Sequence, residues 1–191
     1  MDAIHVRGGN RLFGETKIQG SKNAVLPILA AALLIEDVCV IENCPRISDV
    51  HHMLMLLEEI GCKVKRSDKA VTIDARYLSK DTMSGENVTG MRSSIMLLGA
   101  MLGRVGEVTM AYPGGCVIGE RPIDLHLSAL RKMGVRIYEK EGFFTAKAVK
   151  LEGSVIRLSI SSVGVTENVL LAAVRAAGVT VIQNAAKEPE I

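Results

Sequence analysis

The stretch "KNAVLPILAAALL" at residues 22–34 is apolar on nearly every side of any helix it could form, and the same character returns in "SSIMLLGAMLG" at 93–103 and "NVLLAAVRAAG" at 168–178. A helix without a polar face must be enclosed by other elements, so these three segments belong inside the protein. Each is followed by a short β-branched strand: "VCVIEN" at 38–43, "VTMAYP" at 108–113 and "VTVIQN" at 179–184, spaced by 70 and 71 positions. A loop and a second helix come next, and this helix carries one apolar stripe, as in Val50, Met53, Leu54, Leu57 and Ile60. "LEEIGCKV" at 57–64 returns as "LRKMGVRI" at 130–137, which puts Gly61 and Gly134 where a left-handed cap would end that outer helix. Two short strands, "KVKRS" and "AVTIDA" in the first unit, complete the plan.

Three such units predict an inside-out α/β arrangement, with inner helices surrounded by sheets and outer helices. The third unit breaks off soon after Asn184, before its outer helix and closing strands, so the sequence is expected to be a piece of a longer chain. The segment "IHVRGGNRLFGETKIQG" at 4–20 lies outside the repeat and reads as two short strands around turn glycines.

Bulk properties narrow the function. The 191 residues are 48% hydrophobic and 23% charged, enough to bury a core, and 23 Lys and Arg against 21 Asp and Glu leave a net charge of +2. So even a balance argues against nucleic acid or an anionic membrane surface as the partner, and 3% aromatic residues without Trp supply no base-stacking platform. The longest apolar run, Ala24 to Ile35, is too short to span a bilayer, and "MDAIHVRGGN" has no apolar leader core, so a cytoplasmic protein is expected. Cysteines 39, 44, 62 and 116 form neither a CxxC pair nor a set with nearby His, which argues against a metal or a disulfide framework. Cys39 and Cys62 read as small core residues and Cys44 as a loop residue.

Cys116 is different. Pro113, Gly114, Gly115 and Gly119 bracket it, in a stretch whose glycines permit unusual backbone angles. Arg121 precedes Pro122, a favoured first helical residue, and Asp124 falls in the first turn of the helix that follows. A guanidinium beside unpaired helix amides suits a phosphate or carboxylate, and a thiol carried close by could act there as acid or nucleophile. Ser21 is placed as the N-cap of the first inner helix, with Lys22 and Asn23 in its first turn; "GMRSSIMLLG" repeats the pattern with Arg92. A cation is poorly placed at a helix N-terminus, so a shared anionic ligand is expected to compensate these two. His51, His52 and His126 read as solvent-facing.

"GSKNAVLP" at 20–27, "PGGCVIGERPIDLHL" at 113–127 and "NAAKEPEI" at 184–191 resemble the bacterial UDP-N-acetylglucosamine 1-carboxyvinyltransferase family of enolpyruvyl transferases. The resemblance runs along the whole chain but covers about the N-terminal half of such an enzyme. It implies the inside-out α/β barrel of that family, with residues 22–191 as the transferase domain and residues 1–21 as a strand segment packed with a second domain. It also implies the transfer of an enolpyruvyl group from phosphoenolpyruvate to the 3-hydroxyl of UDP-N-acetylglucosamine, with release of phosphate, without a cofactor. By the same resemblance Cys116 would be the proton donor and the target of fosfomycin. Lys22, Asn23 and Arg121 would hold phosphoenolpyruvate. Asn23, Arg92, Arg121, Pro122, Ile123, Asp124, Leu125, Ser162, Val163 and Gly164 would line the nucleotide-sugar site. The family's aspartate base and three arginines would lie in the second domain, so these residues alone are expected to turn over little or nothing. Val165 stands where the family usually has alanine. Other readings are a non-catalytic nucleotide-sugar-binding fragment, a structural fragment, and the shikimate-pathway enolpyruvyl transferase, which shares the fold but lacks the loop cysteine.

Overall fold

In the computed structural model, residues 3–68, 70–114 and 123–191 are described, and within them the repeat is visible element by element. The first unit runs α1 (Lys22–Ala31), β1 (Val38–Glu42), α2 (Ser48–Glu59), β2 (Lys63–Arg66) and β3 (Ala70–Asp74). The second runs β4 (Thr82–Met83), α3 (Glu86–Thr89), α4 (Met96–Val105), β5 (Glu107–Ala111), α5 (Asp124–Arg131), β6 (Arg136–Lys140) and β7 (Phe143–Lys147). The third has β8 (Val155–Arg157), α6 (Val163–Ala173) and β9 (Val181–Gln183).

Each unit builds its own sheet, in the orders β1-β3-β2, β4-β5-β7-β6 and β8-β9. The closing strands pair antiparallel, with Val38 opposite Asp74 in the first sheet and Glu107 opposite Lys147 in the second. Strands β4 and β8 pair parallel to the strand that follows their inner helix, Thr82 with Thr109 and Val155 with Val181. These opening strands are too short to show alternation in the sequence. The segment before α1 does not supply one for the first unit. Residues 3–20 form no strand, contrary to the sequence reading, and Ile4, Val6, Leu12, Phe13 and Ile18 stand almost fully exposed. Their alternating apolar residues have no ladder to join among the described residues, and a strand without a partner leaves its amides to water.

The inner helices α1, α4 and α6 pack on one another. Met96 through Leu102 of α4 are all buried, as the all-apolar pattern requires. The other two are enclosed less completely, for Ile28 of α1 and Leu170 of α6 are exposed. Close packing of α4 on α6 depends on Gly99, since a Cβ there would overlap the Asn168 carbonyl oxygen. On the outside, α2 buries Val50, Met53, Leu54, Leu56 and Leu57, and Ile60 follows, also buried. Gly61 and Gly134 both take the left-handed backbone expected of them, at φ 109° and 90°. Asn43 and Asn184, which leave β1 and β9, are also left-handed, at φ 53° and 59°; the matching position of the second unit is Pro113, whose ring forbids that geometry.

The C-terminal ends of the inner helices are tied together by ions. Glu36, just beyond the first of them, bonds Arg104 of α4 at 2.5 Å and Arg175 beyond α6 at 2.8 Å. Arg104 also donates to the carbonyls of Ala75 and Arg76, and Arg175 to that of Leu34. Cations at helix C-termini complement the dipole, and the two guanidiniums, Arg104 foremost, hold the Glu36 carboxyl below its ordinary value.

Cys62 is buried and Cys39 half-buried against the core, in line with their reading as core residues. Burial pushes the Cys62 thiol up to about 12. Half-buried Cys44 also packs on that core, and burial raises its thiol as well.

Candidate active site

At their other ends the inner helices open onto a cavity of about 460 Å³, lined by Asn23 of α1, Arg92 and Ser93 before α4, and Ser162, Val163, Gly164 and Glu167 of α6. Leu26, Pro27, Ile95 and Met96 form its apolar wall, and His126 of α5 completes it. The volume lies within the ~300–1,000 Å³ usual for small-molecule sites. The first turns of α1 and α6 and the 3-10 turn Arg92–Ile95 that leads into α4 border this space, so positive dipole ends converge there, which favours an anion.

The sequence-derived residues fall in three groups. Asn23, Arg92, Ser162, Val163 and Gly164, drawn from three separate units, meet in the cavity. Ser162 caps α6, its Oγ accepting from the Val165 amide at 3.5 Å, while Ser21 sits at the N-cap of α1 without a side-chain cap bond. Lys22 lies beside Asn23 in the first turn of α1 and pairs with Asp49 Oδ2 at 2.6 Å, so a carboxylate of the outer helix α2 provides the compensation that the sequence reading left to a ligand. Ile123, Asp124 and Leu125 open α5 next to the cavity without lining it: Ile123 is buried, Leu125 half-buried and Asp124 exposed in the first turn. Cys116, Arg121 and Pro122 lie outside the described residues.

His126 corrects the sequence reading. It is buried, not solvent-facing, because it is one face of a polar knot inside the helix trio. Asn168 of α6 inserts its amide at the start of α4: Nδ2 donates to the Ile95 carbonyl at 3.0 Å, and Oδ1 accepts from the Gly99 amide at 2.6 Å. Those two backbone groups are four residues apart, the pair an α-helix joins directly, so the side chain bridges the ladder where the 3-10 turn Arg92–Ile95 becomes α4. Nδ2 also donates to His126 Nδ1 at 3.0 Å. With Nδ1 accepting, the ring's proton sits on Nε2, and burial, reinforced by the Arg92 charge, pulls its pKa down to about 4. His126 is therefore a neutral donor in the cavity wall. Gly164 lets it lie close, since a Cβ there would come within 3.4 Å of the ring and 3.1 Å of the Met96 methyl.

Glu167 was also missed. Its side chain is buried at 6% exposure, and burial first, then Glu190 and Glu188, raise its carboxyl to about 7. The signal was present as "TEN" at 166–168, three polar residues in succession on an otherwise apolar helix.

The family model for EPSP synthase (3-phosphoshikimate 1-carboxyvinyltransferase) matches residues 6–191. The chain belongs to this family. Among curated proteins it is 50% identical, over its whole length, to UDP-N-acetylglucosamine 1-carboxyvinyltransferase 2 of Caldanaerobacter subterraneus subsp. tengcongensis, and 43% identical to UDP-N-acetylglucosamine 1-carboxyvinyltransferase of Dichelobacter nodosus. In both cases the chain spans 46% of the relative, about half its length. Among solved structures, the enolpyruvyl transferase NikO from Streptomyces tendae superposes with a TM-score of 0.82 at 22% identity, covering 96% of this chain and 43% of that one. EPSP synthase from Acinetobacter baumannii gives 0.65 at 20% identity, covering 86% and 39%. The fold is the enolpyruvyl transferase α/β fold. Its three sheets do not join into a closed barrel among the described residues. None of the helices in those residues is long and apolar enough to cross a membrane.

Proposed function

We propose that this chain supplies one half of the active site for transfer of the enolpyruvyl group from phosphoenolpyruvate to the 3-hydroxyl of UDP-N-acetylglucosamine, the first committed step of peptidoglycan synthesis. The observation that carries the reading is the convergence of three helix N-termini with Asn23, Arg92 and Ser162 on one cavity, in a chain 50% identical to a relative of that name.

The chemistry divides into addition and elimination. The sugar's 3-hydroxyl gives its proton to a base of the second domain as its oxygen bonds to C2 of phosphoenolpyruvate and C3 takes a proton, and the adduct then loses a proton from C3 and the phosphate from C2. Cys116 is the proton donor to C3. Lys22 and Arg121 hold the phosphate and carboxylate, two cations suited to anions of that charge. Arg92, with the amides and hydroxyl at Ser162–Gly164, meets the anionic part of the nucleotide sugar, and Asn23 meets the sugar. Arg121–Leu125 form the nucleotide edge. Lys22 is paired with Asp49 until an anion shares its ammonium. Residues 1–21 belong with a second domain, which also brings the remaining cations and the base; the exposed apolar side chains of Ile4, Val6, Leu12, Phe13 and Ile18 fit such a partner. The reaction is placed in the cytoplasm, where a reducing environment keeps a thiol available.

Fosfomycin tests the reading. Incubated with the 191-residue chain, it alkylates Cys116 faster when UDP-N-acetylglucosamine is present, as read by mass spectrometry of the peptide. No adduct with or without the sugar nucleotide would leave a scaffold rather than a working half-site. Phosphate release from phosphoenolpyruvate by this chain alone is expected to be negligible.

A further inference from the structure

The three polar residues of "TEN" have unequal lives. Thr166 donates through Oγ1 to the Ser162 carbonyl at 2.8 Å and accepts from the Ala186 amide at 3.1 Å. Asn168 is committed to Ile95, Gly99 and His126. Glu167 sits between them, at the cavity wall, nine-tenths buried, and its Oε1 has no hydrogen-bond partner among the described residues. A buried carboxyl oxygen without a donor costs stability and returns nothing to the fold, so its compensation is expected from whatever enters the cavity.

The cavity already has donors for an anion: the helix amides, Arg92, the Ser162 hydroxyl and His126 Nε2. What it otherwise lacks is a strong acceptor, and a sugar's hydroxyl and acetamido N–H groups need one. Glu167 follows Val163 by one helical turn, on the wall shared with Asn23. We propose that Glu167 is a specificity residue of this site, its carboxylate accepting a hydrogen bond from an O–H or N–H of the sugar half of the bound nucleotide sugar. This rests on the function proposed above and goes beyond it. Burial, then Glu190 and Glu188 from the C-terminal segment, raise the carboxyl to about 7, so the titrations are made at pH 8, where the accepting carboxylate prevails; Arg92 and His126 share that wall.

Calorimetric titration of the 191-residue chain with UDP-N-acetylglucosamine and, separately, with UDP tests it. Glu167→Met removes the acceptor at similar size and is expected to weaken UDP-N-acetylglucosamine binding about tenfold or more while leaving UDP within about twofold. Glu167→Gln retains a neutral acceptor and gives a smaller selective loss, about threefold; should the methionine variant not fold, this ratio decides. Equal weakening of both ligands, or no weakening, overturns the proposal. Failure of the wild-type chain to bind either ligand overturns the functional reading itself, an outcome distinct from the other two.

Discussion

The two ends of the inner-helix trio are built on opposite electrostatic principles. At the C-terminal end, Arg104 and Arg175 complement the helix dipoles and share Glu36, so charges and partners match. At the N-terminal end, Lys22 and Arg92 stand against the dipoles, with Asp49 offsetting only Lys22's charge, His126 is held neutral and Glu167 keeps an oxygen without a donor among the described residues. The first end serves the fold; the second gives up stability where amides and polar groups face the cavity, the usual signature of a binding site. Between the two ends lies the Gly99–Asn168 crossing on which both depend.

Four perturbations would break or sharpen that contrast. The largest acts on the crossing: Gly99→Val forces side-chain atoms into the Asn168 carbonyl, and we expect a loss above about 3 kcal/mol in urea denaturation, with both ends loosened together. Asn168→Ala next strips partners from the Gly99 amide and the Ile95 carbonyl, for an expected loss of about 2–4 kcal/mol, and amide exchange should accelerate at the start of α4 more than at Arg104.

The pH dependence separates the ends further. The His126 pKa is about 4 in the fold against 6.5 for the free side chain, so the unfolded chain binds the extra proton between those values. Its contribution is complete above about pH 6.5 and is lost as pH falls toward 4, by up to about 3 kcal/mol. Glu167, raised to about 7 from 4.5, has the opposite sign: its contribution is complete below about pH 4.5 and disappears as pH rises through 7. Denaturation of wild type, His126→Gln and Glu167→Gln from pH 4 to 8 should show the first variant flattening the acid limb and the second gaining relative stability at pH 8. At the matched end, Glu36→Gln should change the melting temperature least, by a degree or two, and the change should shrink in 0.5 M salt because the Glu36 carboxylate is exposed.

How far the sequence could be read follows the same physics. Local periodicity and glycine chemistry were legible: the enclosed helices, the striped α2, and the left-handed caps at Gly61 and Gly134 stand where the pattern puts them. Long-range pairing was not. Strands β4 and β8 exist because partners 27 and 26 residues onward accept them, while residues 3–20, with better strand patterning, have no such partner among the described residues. Within the site, Asn23, Arg92 and Ser162–Gly164 were named by type and resemblance and meet in one cavity. Asp49 was overlooked because it belongs to another helix, and His126 because a lone histidine in the first turn of a striped helix gives no sign of Asn168 waiting 42 residues later.

Asn43 and Asn184 hold the same rare backbone state at the exits of two sibling strands, 141 positions apart. The molecule thereby carries its own replicate: whatever strain glycine relieves at one asparagine it should relieve at the other, in the same tube and temperature scan. Pro113, the third sibling, can never join that pair, so the middle copy must leave its strand by a backbone path the other two do not use.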